Sequence, residues 1–493
     1  MKKAVSLLLI LSLLLAFTGC FDSGNVPIKT TQTAESSSTT TDASGEDESN
    51  TPPSTELDAA YLNDVKLSEY SIVYGKNDLD YSQRAAQYIK KEIKDRTGLE
   101  LAISTDEASK NANEIVVGET TRDISKKLDA NTQNVEFALL ADGGSVALEG
   151  DYFVIAAAAY FFVETYITGE KFDTDVPTTA TVCEPIVAEK ANNYILLIGD
   201  GMGPNQTKLF NVCNVKNNLP SGVDYSDGED LFYGYMLPNQ GYARTKNVNG
   251  TTTDSAASAT ALSTGYKTIN GYVGQDKNKK DLQSFTELAA SLGKSTAVMS
   301  TEKSTGATPG GFSAHVSDRD DSAGILEDQD KLKKDLGTII DCDYDYYSEI
   351  GVGILQLSVS ENLETLSQNE NGFFMMYEEA HIDKHCHNDK RNEAFQALVR
   401  FNQVIGIVME FAFYNPDTLV IITADHETGD LNSSFNFTSG SHSSTNVPVF
   451  AYGAGAEIFN NKTIENTQIP KTVAKLWGNS TFGDQSDSYK PLG

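Results

Sequence analysis

Three apolar stretches, Tyr194–Ile198, Ser295–Met299 and Thr418–Thr423, read as buried strands, and each runs into a segment crowded with potential ligands. Continuous apolar runs of this length suit strands covered on both faces, as in parallel sheets flanked by helices. In open parallel sheets, binding and catalytic residues gather where the strands end. The repeated strand-then-ligand arrangement therefore predicts an α/β domain on a largely parallel sheet. Residues 188–493 are long enough for one large domain of this kind.

What precedes that domain differs in composition. Lys2 and Lys3 stand before the apolar run Val5–Phe17, which is too short for a comfortable membrane span and reads as a signal peptide. The run stops at Phe17-Thr-Gly-Cys20, which resembles a bacterial lipobox except that Phe17 stands where Leu, Val or Ile is usual. The expectation is a leader over residues 1–20, with Cys20 lipidated. The alternative is a plain secretory signal with Cys20 an ordinary thiol. Residues 21–56 are rich in Ser, Thr, Asp, Glu and Gly and cannot build a core. As a flexible coil they would hold the folded part roughly 30 Å from its anchor.

Residues 57–187 alternate strand and helix patterns. Tyr70–Tyr74 and Glu114–Val117 read as strands, and Tyr81–Thr97 as an amphipathic helix stopped by Gly98. Glu136–Leu140 and Ser145–Leu148 form an expected hairpin around Asp142-Gly-Gly144, followed by an apolar helix over Tyr152–Tyr166. The segment resembles the small accessory α/β domain found before the catalytic domain in some glycoside hydrolases, notably at Glu114–Arg122. It contains no histidine, which favours a structural or docking role over a second active site. The boundary falls in the polar stretch Val187–Asn193.

The formal charge of −31 argues against nucleic acid and anionic headgroups as partners of the folded surface. An anionic substrate would need local positive charge from metal ions or arginine. Of the five cysteines, Cys183, Cys213, Cys342 and Cys386 match no CxxC metal pattern, and their redox state stays open.

All six histidines lie between His315 and His442. His381, His385 and His387 fall with Asp383 in Glu378-Glu-Ala-His-Ile-Asp-Lys-His-Cys-His387, His426 closes Thr423-Ala-Asp-His426, and His442 sits in a Gly/Ser loop. Imidazole and carboxylate together suit zinc. Ser255 follows Asp254 at the head of a small-residue run ending at Gly265. This is the pattern of an ordinary N-cap, and equally of a hydroxyl aimed at an anion from a helix N-terminus.

Four motifs decide between these readings. Ile198-Gly-Asp-Gly-Met-Gly203, Thr253-Asp-Ser-Ala-Ala-Ser-Ala-Thr-Ala-Leu-Ser-Thr-Gly265, Ala307-Thr-Pro309 and Thr423-Ala-Asp-His426 resemble those of alkaline phosphatases in order and approximate spacing. The resemblance runs from Tyr194 to the C-terminus. It implies a three-layer α/β/α domain that hydrolyses phosphate monoesters through a phosphoserine at Ser255, with two zinc ions and one magnesium. By the same resemblance Asp383, His387 and His442 hold the first zinc; Asp425, His426, Asp200 and Ser255 hold the second; and Asp200, Thr308 and Glu378 hold magnesium. Arg319, eleven residues after Thr308, matches the arginine that clamps phosphate, and Asp254 is read as its positioning partner.

The implied chemistry is coherent. Zinc would lower the pKa of the Ser255 hydroxyl and of the attacking water, and two such ions about 4 Å apart would clamp an in-line displacement. Arg319 would offer a bidentate fork to the nonbridging oxygens. Glu379 competes with Glu378 for magnesium, with family spacing favouring Glu378. His381 and His385 are read as surrounding rather than ligating residues, and His315 is given no role. Gly306 departs from the Asp or His usual beside the magnesium, which puts that site in question. Lys384 matches bacterial members and would reach the phosphate through water.

The alternative enzyme reading is a phosphodiesterase or sulfatase of the same superfamily. Ser255 lies in no Cys/Ser-x-Pro-x-Arg setting, and an arginine clamp favours monoesters. A catalytically dead surface protein that binds a partner through its N-terminal domain would have lost a zinc ligand or the nucleophile, and neither is missing. The expected setting is the outer face of the cytoplasmic membrane, with small phosphate monoesters as substrates and inorganic phosphate released there. A homodimer is open, since the preceding domain could cover or replace the family's interface.

Overall fold

The computed structural model describes residues 59–76, 81–128, 130–211, 231–344 and 349–484. The expected leader, Cys20 and the tether lie outside the described residues, as does Cys213. Cys183, Cys342 and Cys386 are free thiols.

In the N-terminal part, helices α1 (Tyr81–Thr97) and α2 (Val154–Tyr166) pack beside a six-stranded sheet. Its strands lie in the order Ile103–Thr105, Tyr70–Tyr74, Asn113–Val117, Ser145–Glu149, Phe137–Asp142, Thr181–Cys183. Gly98 has φ +75°, a conformation glycine adopts without strain, and it ends α1 where the sequence predicts. The hairpin pairs Asp142 with Ser145 in antiparallel register. α2 begins at Val154, two residues later than its apolar pattern suggests, because Tyr152 is in the left-handed region at φ +50°.

The second sheet has eight strands: β1 (Asn193–Gly199), β2 (Asn239–Arg244), β3 (Ser295–Ser300), β4 (Ile339–Cys342), β5 (Phe373–Glu379), β6 (Thr418–Thr423), β7 (Val447–Tyr452) and β8 (Thr463–Glu465). The order is β4-β3-β5-β1-β6-β7-β2-β8. Only β7 is antiparallel to its neighbours; the other pairings are parallel. The result is the largely parallel sheet expected from the apolar runs. β1, β5 and β6 are buried at every position, as strands covered on both faces must be.

Register places the chemistry. Ile198 of β1 pairs with Glu378 of β5 on one side and Thr423 of β6 on the other, while Ser300 of β3 also pairs with Glu378. The C-terminal ends of four adjacent strands therefore coincide, and Asp200, Ser300, Glu378 and Asp425 emerge at one edge.

Three helices frame this edge and the core behind it: α3 (Ser255–Thr264), α4 (Ala307–Ser313) and α5 (Arg391–Tyr414). By length and composition α5 is apolar enough to cross a membrane. Here it is a core helix, packed between the eight-stranded sheet and the N-terminal part, and its mostly buried residues need no lipid. Tyr88 stacks near Tyr414 at 4.3 Å between ring centroids, Phe153 meets Phe413 at 5.9 Å, and Arg84 Nη2 lies 2.9 Å from Glu410 Oε2. One hydrophobic core runs through both parts of the chain.

Candidate active site

α3 carries Ser255 at its first position. Asp254 precedes it with extended backbone and accepts from Ala257 N at 2.9 Å through Oδ1, so the N-cap predicted from sequence is present. All ten residues of α3 are buried. Their small side chains permit close packing against α4, where a Cβ at Gly311 would stand 2.7 Å from Ala259 Cβ. Ser258 Oγ donates to Asp425 O at 2.6 Å, tying the helix to the end of β6. Ser255 Oγ consequently lies 3.2 Å from His426 Nε2.

Two sets of donors meet beside this hydroxyl. Asp200, Asp425 and His426 form one, with ligand atoms within 4.8 Å of one another, and Asp383, His387 and His442 form the other. His426 and His442 stack with ring centroids 3.6 Å apart, so the sets are adjacent. The turn after β1 allows this proximity. Gly201 has φ +70°, its N–H donates to Asp425 Oδ1 at 3.1 Å, and a Cβ there would stand 2.9 Å from Asp383 Cα.

The histidine orientations are fixed from behind. His387 Nδ1 lies 2.8 Å from Gly440 O and His442 Nδ1 lies 3.1 Å from Thr253 O. Carbonyl oxygens only accept, so each Nδ1 carries the hydrogen and each Nε2 turns inward. The two Nε2 atoms are 3.1 Å apart, with Asp383 oxygens 3.3 Å and 3.6 Å away. Such convergent lone pairs fit a cation. Thr428 completes the frame, its hydroxyl donating to Asp383 Oδ1 and lying 3.3 Å from His426 Nδ1.

A third group joins Asp200, Thr308 and Glu378. Ser300 Oγ donates to Glu378 Oε2, while Glu378 Oε1, Thr308 Oγ1, Asp200 Oδ1 and Asp425 Oδ2 are buried without a hydrogen-bond partner. Buried oxygens are normally satisfied, and an all-oxygen group of this kind fits a hard cation such as magnesium. Adjacent strand residues face opposite ways, which separates the two competing glutamates. Glu379 interacts with Thr301 and with His381, whose N–H donates to Glu379 Oε1 at 3.0 Å. His381 and His385 belong to neither metal-type donor set.

Electrostatics show the same demand for positive charge. Burial, then the neighbouring charges of Asp425, Asp383, Glu378 and Glu302, push the Asp200 carboxyl well above its ordinary range. Burial and Glu302 do the same to Glu378. Burial followed by the Asp383 charge raises Asp425 to about 6, and burial lowers His426 to about 4. The hydrogen bond to Asp383 raises His387 to about 9. Asp383 is itself held low: burial acts upward but is outweighed by His387, His426 and Thr428.

Arg319 Nη1 donates to Asp254 Oδ2 at 3.2 Å, and the same oxygen accepts from Gly271 N at 2.9 Å. The positioning role expected of Asp254 thus has a direct contact. Lys384 Nζ lies 2.8 Å from Glu302 Oε2. Glu302, Ser300 and Thr428 are functional neighbours that the sequence motifs do not reveal. Only Gly306 signals Glu302, by lacking a side chain where one is expected.

Two adjacent His/carboxylate donor sets, a helix-borne serine at their rim and a carboxylate-anchored arginine define a hydrolase site of the metal-assisted, anion-binding type. Residues 191–344 and 353–436 match the family model described as alkaline phosphatase. Alkaline phosphatase 4 of Bacillus subtilis is 26% identical over 338 residues, covering 57% of this chain and 71% of that protein. The Escherichia coli alkaline phosphatase is 26% identical over 346 residues, covering 50% and 72%. The solved alkaline phosphatase of the Antarctic bacterium TAB5 superposes with a TM-score of 0.50 at 27% identity, covering 58% of this chain and 98% of that one. A histidine-to-aspartate variant of TAB5 alkaline phosphatase, described with Mg bound in the M3 site, superposes with a TM-score of 0.50 at 25% identity, covering 60% and 99%. The chain belongs to the alkaline phosphatase family and is a phosphomonoester hydrolase.

Proposed function

We propose that this phosphatase transfers the phosphoryl group of a small monoester first to Ser255 and then to water, with two zinc ions and one magnesium bound. The carrying observation is the place of Ser255 Oγ, 3.2 Å from His426 Nε2 at the start of a buried, capped helix. Asp383, His387 and His442 would hold one zinc; Asp200, Asp425 and His426, with Ser255, the other; and Asp200, Thr308 and Glu378 the magnesium. When bound, the ions supply the positive charge that makes a hydroxyl and a water nucleophilic near neutral pH and stabilises the leaving oxygen.

The chain's own residues do the rest. The N-terminal turn of α3 directs N–H groups and the positive end of its dipole toward an anion beside Ser255. Arg319, held by Asp254, offers guanidinium N–H groups to the nonbridging oxygens. Oγ bonds to phosphorus as the ester oxygen departs, and water then breaks the Oγ–P bond to release inorganic phosphate. Asp254 is occupied by Ala257, Gly271 and Arg319. Its role is positional rather than that of a base.

The N-terminal sequence supports export, with Cys20 lipidated and the globular part tethered to the outer face of the cytoplasmic membrane. Loss of labelled fatty-acid incorporation in Cys20→Ala tests the anchor. For the reaction, the chain supplied with zinc and magnesium is given an aryl phosphate, its diester and its sulfate. Monoester hydrolysis should dominate; equal or faster diester turnover favours the phosphodiesterase reading instead.

A further inference from the structure

The turn from β3 to α4, residues 301–306, carries a carboxylate that belongs to none of the three donor groups. At Gly306 the backbone has φ −62°, which any residue adopts, so conformation does not require glycine there. Space does. A Cβ at position 306 would stand 2.0 Å from Glu302 Oε1 and 2.5 Å from Glu302 Cδ. The Glu302 carboxylate thus occupies the volume that a side chain at 306 would fill, two residues before Thr308.

Its backbone is tied to the same group, since Glu302 N donates at 3.0 Å to Ser300 Oγ, which in turn donates to Glu378 Oε2. Its other oxygen, Oε2, is 2.8 Å from Lys384 Nζ. Lys384 lies one residue from Asp383 on the segment Ala380–His387 that follows β5. Beside these groups stand the partnerless buried oxygens Glu378 Oε1, Thr308 Oγ1 and Asp200 Oδ1.

We propose that Glu302 is the carboxylate that completes the third cation group together with Asp200, Thr308 and Glu378, replacing the side chain that Gly306 lacks. Lys384 is its resident counter-charge, competing with the cation for the same carboxylate. With the Glu302 carboxylate in its present place a side chain at 306 has no room, and only a shift of that carboxylate would make it. The inference rests on the proposed three-ion site.

The test is calorimetric titration of magnesium into the zinc-loaded full chain, with metal content measured in parallel. Glu302→Ala and the isosteric Glu302→Gln should each keep two zinc ions and weaken magnesium binding roughly 10- to 100-fold. Glu302→Gln keeps the turn filled, so its loss is not one of packing. Lys384→Ala should tighten magnesium, because the competing ammonium is gone. Gly306→Asp alone should gain nothing, whereas Glu302→Ala with Gly306→Asp should recover binding. Unchanged magnesium affinity in both Glu302 variants overturns the proposal while leaving the three-ion site intact. A wild-type chain that holds two zinc ions and takes up no magnesium overturns both.

Discussion

Asp254 and Arg319 are joined at 3.2 Å, and the carboxylate that anchors the arginine also caps the helix that presents Ser255. Nucleophile and anion clamp are thereby referenced to one side chain. Asp254→Ala should release Arg319 and remove the cap, lowering kcat/KM for an aryl phosphate by at least about tenfold and costing stability of about 1 kcal/mol. Asp254→Asn retains an acceptor for the cap but weakens the charge-assisted contact, so it should spare stability more than activity. Steady-state kinetics and denaturant titration separate the two effects.

The inward Nε2 atoms of His387 and His442 predict a shared dependence on bound metal. His442→Ala removes one of three donors and the ring stacked on His426. Zinc content after dialysis should fall by about one equivalent per chain, the expectation for opening a three-donor site. Chelator treatment of the wild-type chain should abolish turnover, with zinc restoring it. Atomic emission measurements on dialysed protein check the stoichiometry.

His315, to which the motifs assign no role, is enclosed by acids. Its Nε2 lies 2.9 Å from Leu282 O and 3.5 Å from Glu287 Oε2, its Nδ1 lies 4.0 Å from Asp328 Oδ2, and its backbone N–H donates to that same oxygen at 2.9 Å. Burial acts to lower its pKa, but Glu287, Asp281 and Asp328 outweigh it and raise the ring to about 9. A folded-state pKa above the unfolded value stabilises fully below the latter, about 6.5, and this contribution is lost as pH rises through about 9. The melting temperature of His315→Gln should therefore fall furthest below wild type near pH 6. The gap should narrow by pH 10, and one that stays constant with pH contradicts the assignment.

The core shared by both parts of the chain predicts coupled unfolding. Phe153 is fully buried, with Tyr233 at 5.0 Å and Phe413 at 5.9 Å between ring centroids. Phe153→Ala should cost roughly 3–5 kcal/mol. Scanning calorimetry should show the whole transition moving to lower temperature. A split into two transitions, with only the first displaced, would mean the parts unfold separately.

The sequence makes those parts of the fold legible whose burial is written locally. β6 coincides with the predicted Thr418–Thr423, while β1 and β3 extend the predicted apolar runs by a residue at one or both ends. β5 carries Glu378 and Glu379 at its end, so its apolar start and charged finish do not read as one strand. α5 is buried nearly all round because two layers cover it, a fact no single helix pattern reveals. The Asp254–Arg319 contact is reachable from motifs. Glu302 is not, because its position depends on how the turn before α4 folds back over Gly306. The ordinary N-cap reading of Ser255 and the nucleophile reading are also compatible, since the cap is what fixes the hydroxyl beside His426.

The most direct measurement is turnover of an aryl phosphate monoester by Ser255→Ala, loaded with the same zinc and magnesium as wild type. A nucleophile forming a covalent intermediate predicts a loss of roughly 1,000-fold or more in kcat, with zinc still bound through Asp200, Asp425 and His426. Acid-quenched wild-type enzyme should yield phosphate on the peptide containing Ser255. If Ser255→Ala turns over the monoester within a few fold of wild type, Ser255 is not the nucleophile and the two-displacement account fails.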